Sequence, residues 1–482
     1  MDNGTVVLLV VALLLLLLAS RMPAAFALAL SGALGLVMLR DTKFATNMLA
    51  SIPFDETAKF TLTIIPMFIL MGMFAMKAKI AEQVYALAAH AFRRLPGGLG
   101  VATVMACAGF AAVSGSSLGT TATMSKLSVG EMRKHGYPAS LATASVAVAG
   151  TLGVLIPPSI ILVLYSIMTS ESVAKMLAAG IIPGLISAIA YAVYMMFAGK
   201  RALEKRSART AAQQAASLGE AIDSVKQAAG AEVAAKAARK AETANMAAGS
   251  GLAPKPTRLR DLPKRGLVYL VILFGVVLGG MYSGIVTATE SAAIGALAAM
   301  IMLVIENVRG GFKHTMSAIV DALKETAGTT SMVFSLIVGS AVLSVFFVAA
   351  KVPQMLTDAV LGAGMNPHLT MAILLAALLP LGMALESLSI LVITVPLLAP
   401  VAAELGFDNI WLGILIVKLV EIGMVTPPVG ISCFVVSGTS GVKVAEVFKG
   451  IWPFVVIDLV IVAVLFMIPE IILWLPSLVV NY

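Results

Sequence analysis

The chain has 482 residues, of which 60% are hydrophobic and 12% charged, and its mean hydropathy is +1.00. Soluble domains carry charge on about a quarter of their residues, so this composition excludes a soluble protein and points to a polytopic membrane protein in a lipid bilayer. The net charge of +8 is local: residues 200–265 hold 14 Lys and Arg against 6 Asp and Glu, while 19 of each lie elsewhere. That basic segment contains no aromatic residue, and a nucleic-acid surface pairs basic charge with stacking or groove-reading groups. A cytoplasmic loop is expected there, and no nucleic-acid partner. Only Cys107 and Cys433 occur, both within apolar runs, which excludes a disulfide framework and suits small core residues.

In chain order, Thr5–Ala19 and Ala24–Leu39 read as a helical hairpin rather than a secretory leader. Asp2 stands where a leader is basic, Arg21 follows the apolar run, and a second run starts at once. Runs able to cross about 30 Å of hydrocarbon follow at 60–76, 139–168, 176–198, 267–283, 288–306, 329–350, 409–437 and 451–475, which with the first pair makes ten expected crossings. Two further apolar pairs, 99–113 with 118–130 and 369–383 with 388–403, have arms too short to cross comfortably and a polar break between them. These are expected to be re-entrant hairpins, 99–130 and 369–403, whose tips must face protein or water because unpaired amides are costly in lipid. Segments 41–58, 78–94 and 311–328 mix charge with apolar residues and suit interfacial helices. Trp411, Trp452 and Trp474 near span ends suit interfacial anchors. Residues 200–264, Ala-rich and ending in Ala253-Pro254-Lys255-Pro256, read as a linker with at most transient helix around Ala211–Ala248.

With the N-terminus outside, 27 of the 33 Lys and Arg fall on the cytoplasmic side, as the positive-inside rule requires. The first hairpin then enters from the cytoplasm and the second from outside, so the halves are inverted repeats. Interrupted hydrophobic segments at matching positions of two such halves mark a secondary transporter's binding site near the midplane. The organisation is therefore a scaffold hairpin and interfacial helix over 1–59, a first repeat over 60–199 with its broken helix at 139–168, and the linker. A second repeat over 265–450 follows, with its broken helix at 409–437, and then a last span over 451–482.

The repeat is visible in the motifs. Gly153-Val154-Leu155-Ile156-Pro157-Pro158 returns 270 residues later as Gly423-Met424-Val425-Thr426-Pro427-Pro428, and the polar stop Ser116-Ser117 returns as Glu386-Ser387. Two prolines remove two amide donors and leave carbonyl oxygens free, and free carbonyls can replace the hydration shell of a cation. One copy reads as a simple kink; two copies matched to two hairpins read as ion sites. Ser114-Gly115-Ser116-Ser117 offers hydroxyls and a helix start whose amide dipoles suit sodium ligation or a carboxylate, with close helix packing by small residues as the alternative. Glu386 is an ionisable group at a hairpin tip, which at membrane depth is a site residue by default, against a plain solvent-facing loop. Lys418 and Glu421 lie three apart on one helix and can pair, either structurally or as a gate. Thr287-Ala288-Thr289-Glu290 reads as a capping box.

Gly115-Ser116-Ser117-Leu118-Gly119 also fits the Gly-x-Ser-x-Gly nucleophile elbow, which needs a strand-to-helix turn and a histidine base. His90, His135, His314 and His368 all read as loop or interface residues, so an intramembrane serine hydrolase using Ser117 is the weaker reading. No Walker A sequence and no His, Cys or Asp cluster with metal-ligand spacing occurs. Work must come from a gradient or a partner, with no catalytic residue and no cofactor beyond sodium as a coupling ion.

Ser114 to Ser117, Gly153 to Ser159, and Ile422-Gly423-Met424-Val425-Thr426-Pro427-Pro428-Val429-Gly430 together resemble the large membrane subunit of tripartite ATP-independent periplasmic (TRAP) transporters, over nearly the whole chain. The resemblance implies an all-α, inverted-repeat elevator transporter that imports organic acids such as C4-dicarboxylates or sugar acids with sodium across the bacterial inner membrane. It implies one sodium site from Ser114, Gly115, Ser116, Ser117, Gly153 and Pro157, and another from Gly382, Glu386, Gly423, Thr426 and Pro427. By the same positional carry-over, Ser116, Ser159, Ser387 and Pro428 form the substrate set. A periplasmic binding protein and a small four-helix membrane subunit are the implied partners, the small subunit being separate because the first span begins at Thr5. A self-sufficient dicarboxylate carrier or ion antiporter of the same inverted-repeat plan is the alternative within transport.

Overall fold

Apolar sequence that has to satisfy its own backbone groups in lipid folds as helix, and the described residues contain helices and no strand. The computed structural model describes residues 2–20, 22–229, 264–355, 358 and 366–478. Helices α1 (Asn3–Ala19), α2 (Ala24–Leu39) and α3 (Thr42–Thr57) open the chain, α3 capped by the Asp41 carboxylate, which accepts from Phe44 N at 2.6 Å. Helices α4 (Ile64–Lys77) and α5 (Ile80–Ala91) lead to the first hairpin, made of α6 (Gly98–Ser114), α7 (Ser117–Met124) and, past a π turn at Ser125–Val129, α8 (Gly130–Lys134). The first broken helix is α9 (Ala139–Thr151) and α10 (Ile160–Thr169), followed by α11 (Val173–Ala229). After the linker come α12 (Arg265–Tyr282), α13 (Ala288–Asn307) and α14 (Phe312–Ala349). The second hairpin is α15 (Pro367–Ala376), α16 (Leu378–Ala384) and α17 (Ser387–Glu404), and the second broken helix is α18 (Asn409–Val425) with α19 (Ile431–Ser440). Helices α20 (Val444–Met467) and α21 (Glu470–Ser477) close the chain.

A helix that is apolar on every side belongs in the interior. The broken helices take that place: every residue over 141–166 and over 410–426 is buried. Outer helices are equally apolar yet expose Leu8, Phe26, Val271, Leu297 and Val460, which is the distribution a lipid solvent produces. In the outer frame α2 lies on α14, where a Cβ on Gly32 would come within 2.7 Å of the Leu343 backbone, the close approach that small residues allow in membranes. Helix α4 packs on α13 and α14. At the centre the repeats interlock, with α10 of the first packed on α17 of the second, and α19 of the second on α7 of the first.

Among the described residues, seven helices are long and apolar enough to cross a membrane. Six of them coincide with expected spans. The seventh is α17, an 18-residue helix where a short hairpin arm was expected. Helices α1 and α2, at 17 and 16 residues, and the two broken helices make up the other expected crossings as shorter pieces.

Other expectations change. Residues 311–328 do not form a separate interfacial helix: Phe312–Ala349 is one helix of 38 residues, about 57 Å long at 1.5 Å per residue. The lone Gly328 does not interrupt it, and buried Ala322 and Thr326 with the Lys77–Glu325 ion pair at 2.8 Å fix its first half to the frame. Trp411 is not an interfacial anchor. Its ring is 2% exposed, stacks on Phe407 at 5.0 Å and donates Nε1–H to the Leu465 carbonyl at 3.2 Å. Helix α11 runs unbroken through Ala229, so the start of the expected linker continues a span; the rest, with Ala253 to Pro256, lies outside the described residues. The last expected run, 451–475, divides at Ile468–Pro469, where proline cannot donate to the helix ladder. The Thr287 capping box is present, with Thr287 N donating to Glu290 Oε2 at 2.8 Å and Glu290 N to Thr287 Oγ1 at 3.2 Å. Cys107 and Cys433 are free and buried.

Candidate functional site

The first tip is set by one glycine. Helix α6 ends at Ser114, Gly115 turns left-handed at φ 59°, and Ser116 is extended as the N-cap of α7, accepting from Gly119 N at 3.3 Å. A side chain at Gly115 is disfavoured by that φ, and its Cβ would also approach the Pro158 carbonyl to 3.0 Å. Ser114 Oγ pairs with Thr120 Oγ1 at 2.6 Å across the turn. The tip rests on the first break, because a Cβ on Gly153 would lie 3.2 Å from the Ser116 carbonyl oxygen. The break itself is a 3-10 turn at Leu152–Val154 and a cis Pro157–Pro158 peptide.

The second tip is also a turn of two residues, without a glycine. Helix α16 stops at Ala384, Leu385 and Glu386 are extended, and Glu386 occupies the N-cap of α17 without capping it through its side chain. One turn before, α16 crosses α18 with backbones in contact: a Cβ on Gly423 would lie 2.5 Å from Gly382 Cα. The second break then follows, with Thr426 extended, a cis Pro427–Pro428 peptide and Gly430 left-handed at φ 57°.

Both tips line one cavity of about 220 Å³. Ser114, Gly115, Ser116 and Ser117 of the first tip line it together with Glu386 and Ser387 of the second, and Gly72 and Met76 of α4 with Thr329 and Met332 of α14 complete the lining, Gly72 lying against the Ser114 carbonyl. The N-termini of α7 and α17 therefore both open at this cavity, and helix N-termini favour anions. The remaining expected site residues lie elsewhere. Gly423, Thr426 and Pro427 do not line it; Thr426 Oγ1 donates to the Ile422 carbonyl at 2.5 Å, and Pro427 is half-buried. Pro157 lines a separate apolar cavity with Val84, Met105, Ile181 and Leu267. Of the expected substrate set, Ser116 and Ser387 line the shared cavity. Ser159 is fully buried and its hydroxyl is committed to capping α10, donating to the Val154 carbonyl and accepting from Leu162 N, while Pro428 is exposed.

Lys418 and Glu421 pair at 2.9 Å as their spacing suggests, but the group is larger. Lys418 Nζ also meets Asp458 Oδ1 at 2.8 Å and donates to Tyr191 Oη at 3.3 Å, and Tyr191 donates to Asp458. Asp458 and Tyr191 were not singled out from the sequence. The available signal was an ionisable residue in the middle of an apolar run. Thr329 and Met332, the wall on α14, had no signal beyond membership of an apolar segment.

The nucleophile-elbow reading of Ser117 does not survive this geometry. Its turn joins two helices rather than a strand and a helix, and none of the four histidines lines the cavity.

Comparison with known proteins agrees with the architecture. The chain is 31% identical over 453 residues to a C4-dicarboxylate TRAP transporter large permease protein of Pseudomonas aeruginosa, covering 94% of each. To a sialic acid TRAP transporter large permease protein of Vibrio cholerae it is 29% identical over 463 residues, 96% of each. Both relatives are transporter permeases, not enzymes. The crystal structure of the Alcanivorax borkumensis YdaH transporter, described as having an unusual topology, shares the fold at a TM-score of 0.58 over 90% of each chain with 14% identity. Residues 11–471 match the family described as tripartite ATP-independent periplasmic transporter, DctM component, and the chain belongs to that family as a multi-pass membrane permease.

Proposed function

We infer that the chain is the large permease of a sodium-driven, binding-protein-dependent importer of organic acids in a bacterial inner membrane, working with a small membrane subunit. The observation that carries this reading is the meeting of both hairpin tips, with the N-termini of α7 and α17, in one cavity that α4 and α14 also line. Two helix N-termini suit a carboxylate, and the relatives named for C4-dicarboxylates and for sialic acid both carry acids. The hairpins and broken helices form the moving unit, and α1–α4, α13 and α14 the fixed frame, the division an elevator needs.

Sodium suits the donors beside the tips, which are neutral oxygens: the Ser114 hydroxyl and Ser116 carbonyl next to Gly153, and carbonyls freed ahead of Pro427 beside Thr426. Among the described residues, Glu386 supplies the one acidic side chain in the cavity lining. Each sodium ion entering down about 100 mV supplies about 2.3 kcal/mol before any concentration term. The test is radiolabelled organic-acid uptake into proteoliposomes containing the chain, its small subunit and the cognate binding protein, with and without an inward sodium gradient. Uptake that needs both sodium and the binding protein is the expected result. Uptake without the binding protein would make the chain a self-sufficient carrier, and uptake indifferent to sodium would remove the coupling ion.

A further inference from the structure

The group formed by Lys418, Glu421, Asp458 and Tyr191 has no part in the tip cavity. It holds one cation and two carboxylates, and the side chains of all three charged residues are at most 2% exposed. Lys418 sits between the carboxylates at 2.9 and 2.8 Å, and the Tyr191 hydroxyl donates to Asp458 Oδ1. One ammonium cannot neutralise two carboxylates, so with Lys418, Glu421 and Asp458 all ionised the group carries one excess negative charge. The imbalance falls on Glu421: its Oε2 accepts from Lys418, but its Oε1 is buried with no hydrogen-bond partner among the described residues. An isolated buried charge is costly, and the direct partners of this cluster, on α11, α18 and α20, supply no second cation.

The nearest feature that calls for positive charge is on the same helix. Glu421 precedes Gly423 by two residues and Thr426 by five, so the second break begins within about 8 Å along the axis at 1.5 Å per residue. The face of α18 carrying Gly423 meets Gly382, whereas Lys418 and Glu421 turn to Asp458 of α20 and Tyr191 of α11. The donors freed at the break are neutral oxygens, which solvate a cation but do not cancel its charge.

We propose that the buried Lys418–Glu421–Asp458 group is the counter-charge of a cation held at the second break, its single excess negative charge setting sodium affinity there without any of its side chains touching the ion. This rests on the sodium-driven reading above. Lys418 prevents the two carboxylates from acting as a double charge, and Tyr191 and Asp458 fix the group to α11 and α20. The three are positioning residues for the break.

The test is a charge count. Glu421→Gln and Asp458→Asn each bring the group to neutrality, whereas the double variant Lys418→Met/Glu421→Gln restores one negative charge with the ion pair gone. Sodium-dependent shifts in the unfolding midpoint of the purified full chain, at constant ionic strength with choline as the replacement cation, give a half-saturating sodium concentration without transport. A unit charge at about 10 Å and an effective dielectric near 20 corresponds to about fifteen-fold in affinity. The expected result is a five- to fifteen-fold rise in that concentration for either single variant and a return to within about three-fold of native for the double variant. Single variants that lower the midpoint but leave the sodium dependence unchanged would overturn the proposal and make the group purely structural. So would a double variant as impaired as the singles. The two single variants test the same charge independently, so one that folds is sufficient. If the native chain shows neither a sodium-dependent shift nor sodium-dependent uptake, the sodium reading itself fails, and this outcome is separable from the others because it appears before any substitution.

Discussion

Gly423 is the position where one added methyl group tests the second break most directly. A Cβ there would stand 2.5 Å from Gly382 Cα, and 2.6 Å from its carbonyl carbon, against about 3.5–4.0 Å for an ordinary carbon contact. Both neighbours are backbone, so no rotamer change relieves the clash, and α16 and α18 must part by about 1 Å. Overpacking of this kind costs about 1–3 kcal/mol. Helix propensity works in the opposite direction, since alanine within a helix is favoured over glycine by about 0.5–1 kcal/mol, so any net loss reports the contact. If the contact holds the break's carbonyls in place, the cost appears as weaker sodium binding, by about 5- to 150-fold. The assay is organic-acid uptake over a sodium series for Gly423→Ala, beside Gly438→Ala in α19, where a Cβ meets nothing within 4 Å. Gly438→Ala is expected to behave as native. Native sodium dependence and native stability in Gly423→Ala would refute the argument that this crossing shapes an ion site.

Glu386→Gln removes the only acidic side chain that the described residues bring to the tip cavity while leaving the cap of α17 as it is, because Glu386 makes no side-chain capping bond. Uptake is expected to fall by at least about ten-fold with the unfolding midpoint unchanged; native uptake over a full sodium series would show that the carboxylate takes no part. Ser340 Oγ of α14 donates to the Val392 carbonyl of α17 at 2.7 Å, joining the proposed frame to the proposed moving unit. A neutral hydrogen bond contributes about 0.5–1.5 kcal/mol, so Ser340→Ala is expected to change turnover at saturating sodium and substrate by a few-fold. Unchanged turnover would mean that the two elements do not separate during transport.

What could be read from the chain was what local chemistry decides. The breaks at Gly153 and Gly423 follow from prolines that cannot donate, the turn at Gly115 from a polar stop between apolar arms, and the Thr287 box from two residues that satisfy each other's amides. Separation in sequence hid the rest. Nothing near Glu386 says that it shares a cavity with Ser116, because bringing together residues 270 apart depends on how the repeats interlock through α7, α10, α17 and α19. Trp411 looked interfacial because it follows a polar turn, yet Phe407 and Leu465 enclose it. Asp458 was readable as a lone acid in an apolar run, but its partner Lys418 lies on another helix, so the grouping of one lysine with two carboxyl groups became apparent only once three helices were brought together.

The repeat is also unequal in a way that bears on mechanism. Matching positions place Ser116 in one tip and Glu386 in the other, and the two serve differently. Ser116 spends its hydroxyl on Gly119 N, and Ser114 closes on Thr120, so the first tip is tied together by its own side chains. Glu386 makes no such bond and faces the cavity. A tip tied by internal hydrogen bonds presents a fixed set of oxygens, whereas an uncommitted carboxylate responds to whatever charge enters opposite it. On that basis we expect the first tip to supply shape and the second the response to ligand. Exchanging Ser116 for Ala is then expected to weaken binding with little change in its dependence on charge, whereas changing Glu386 alters which charges the cavity accepts.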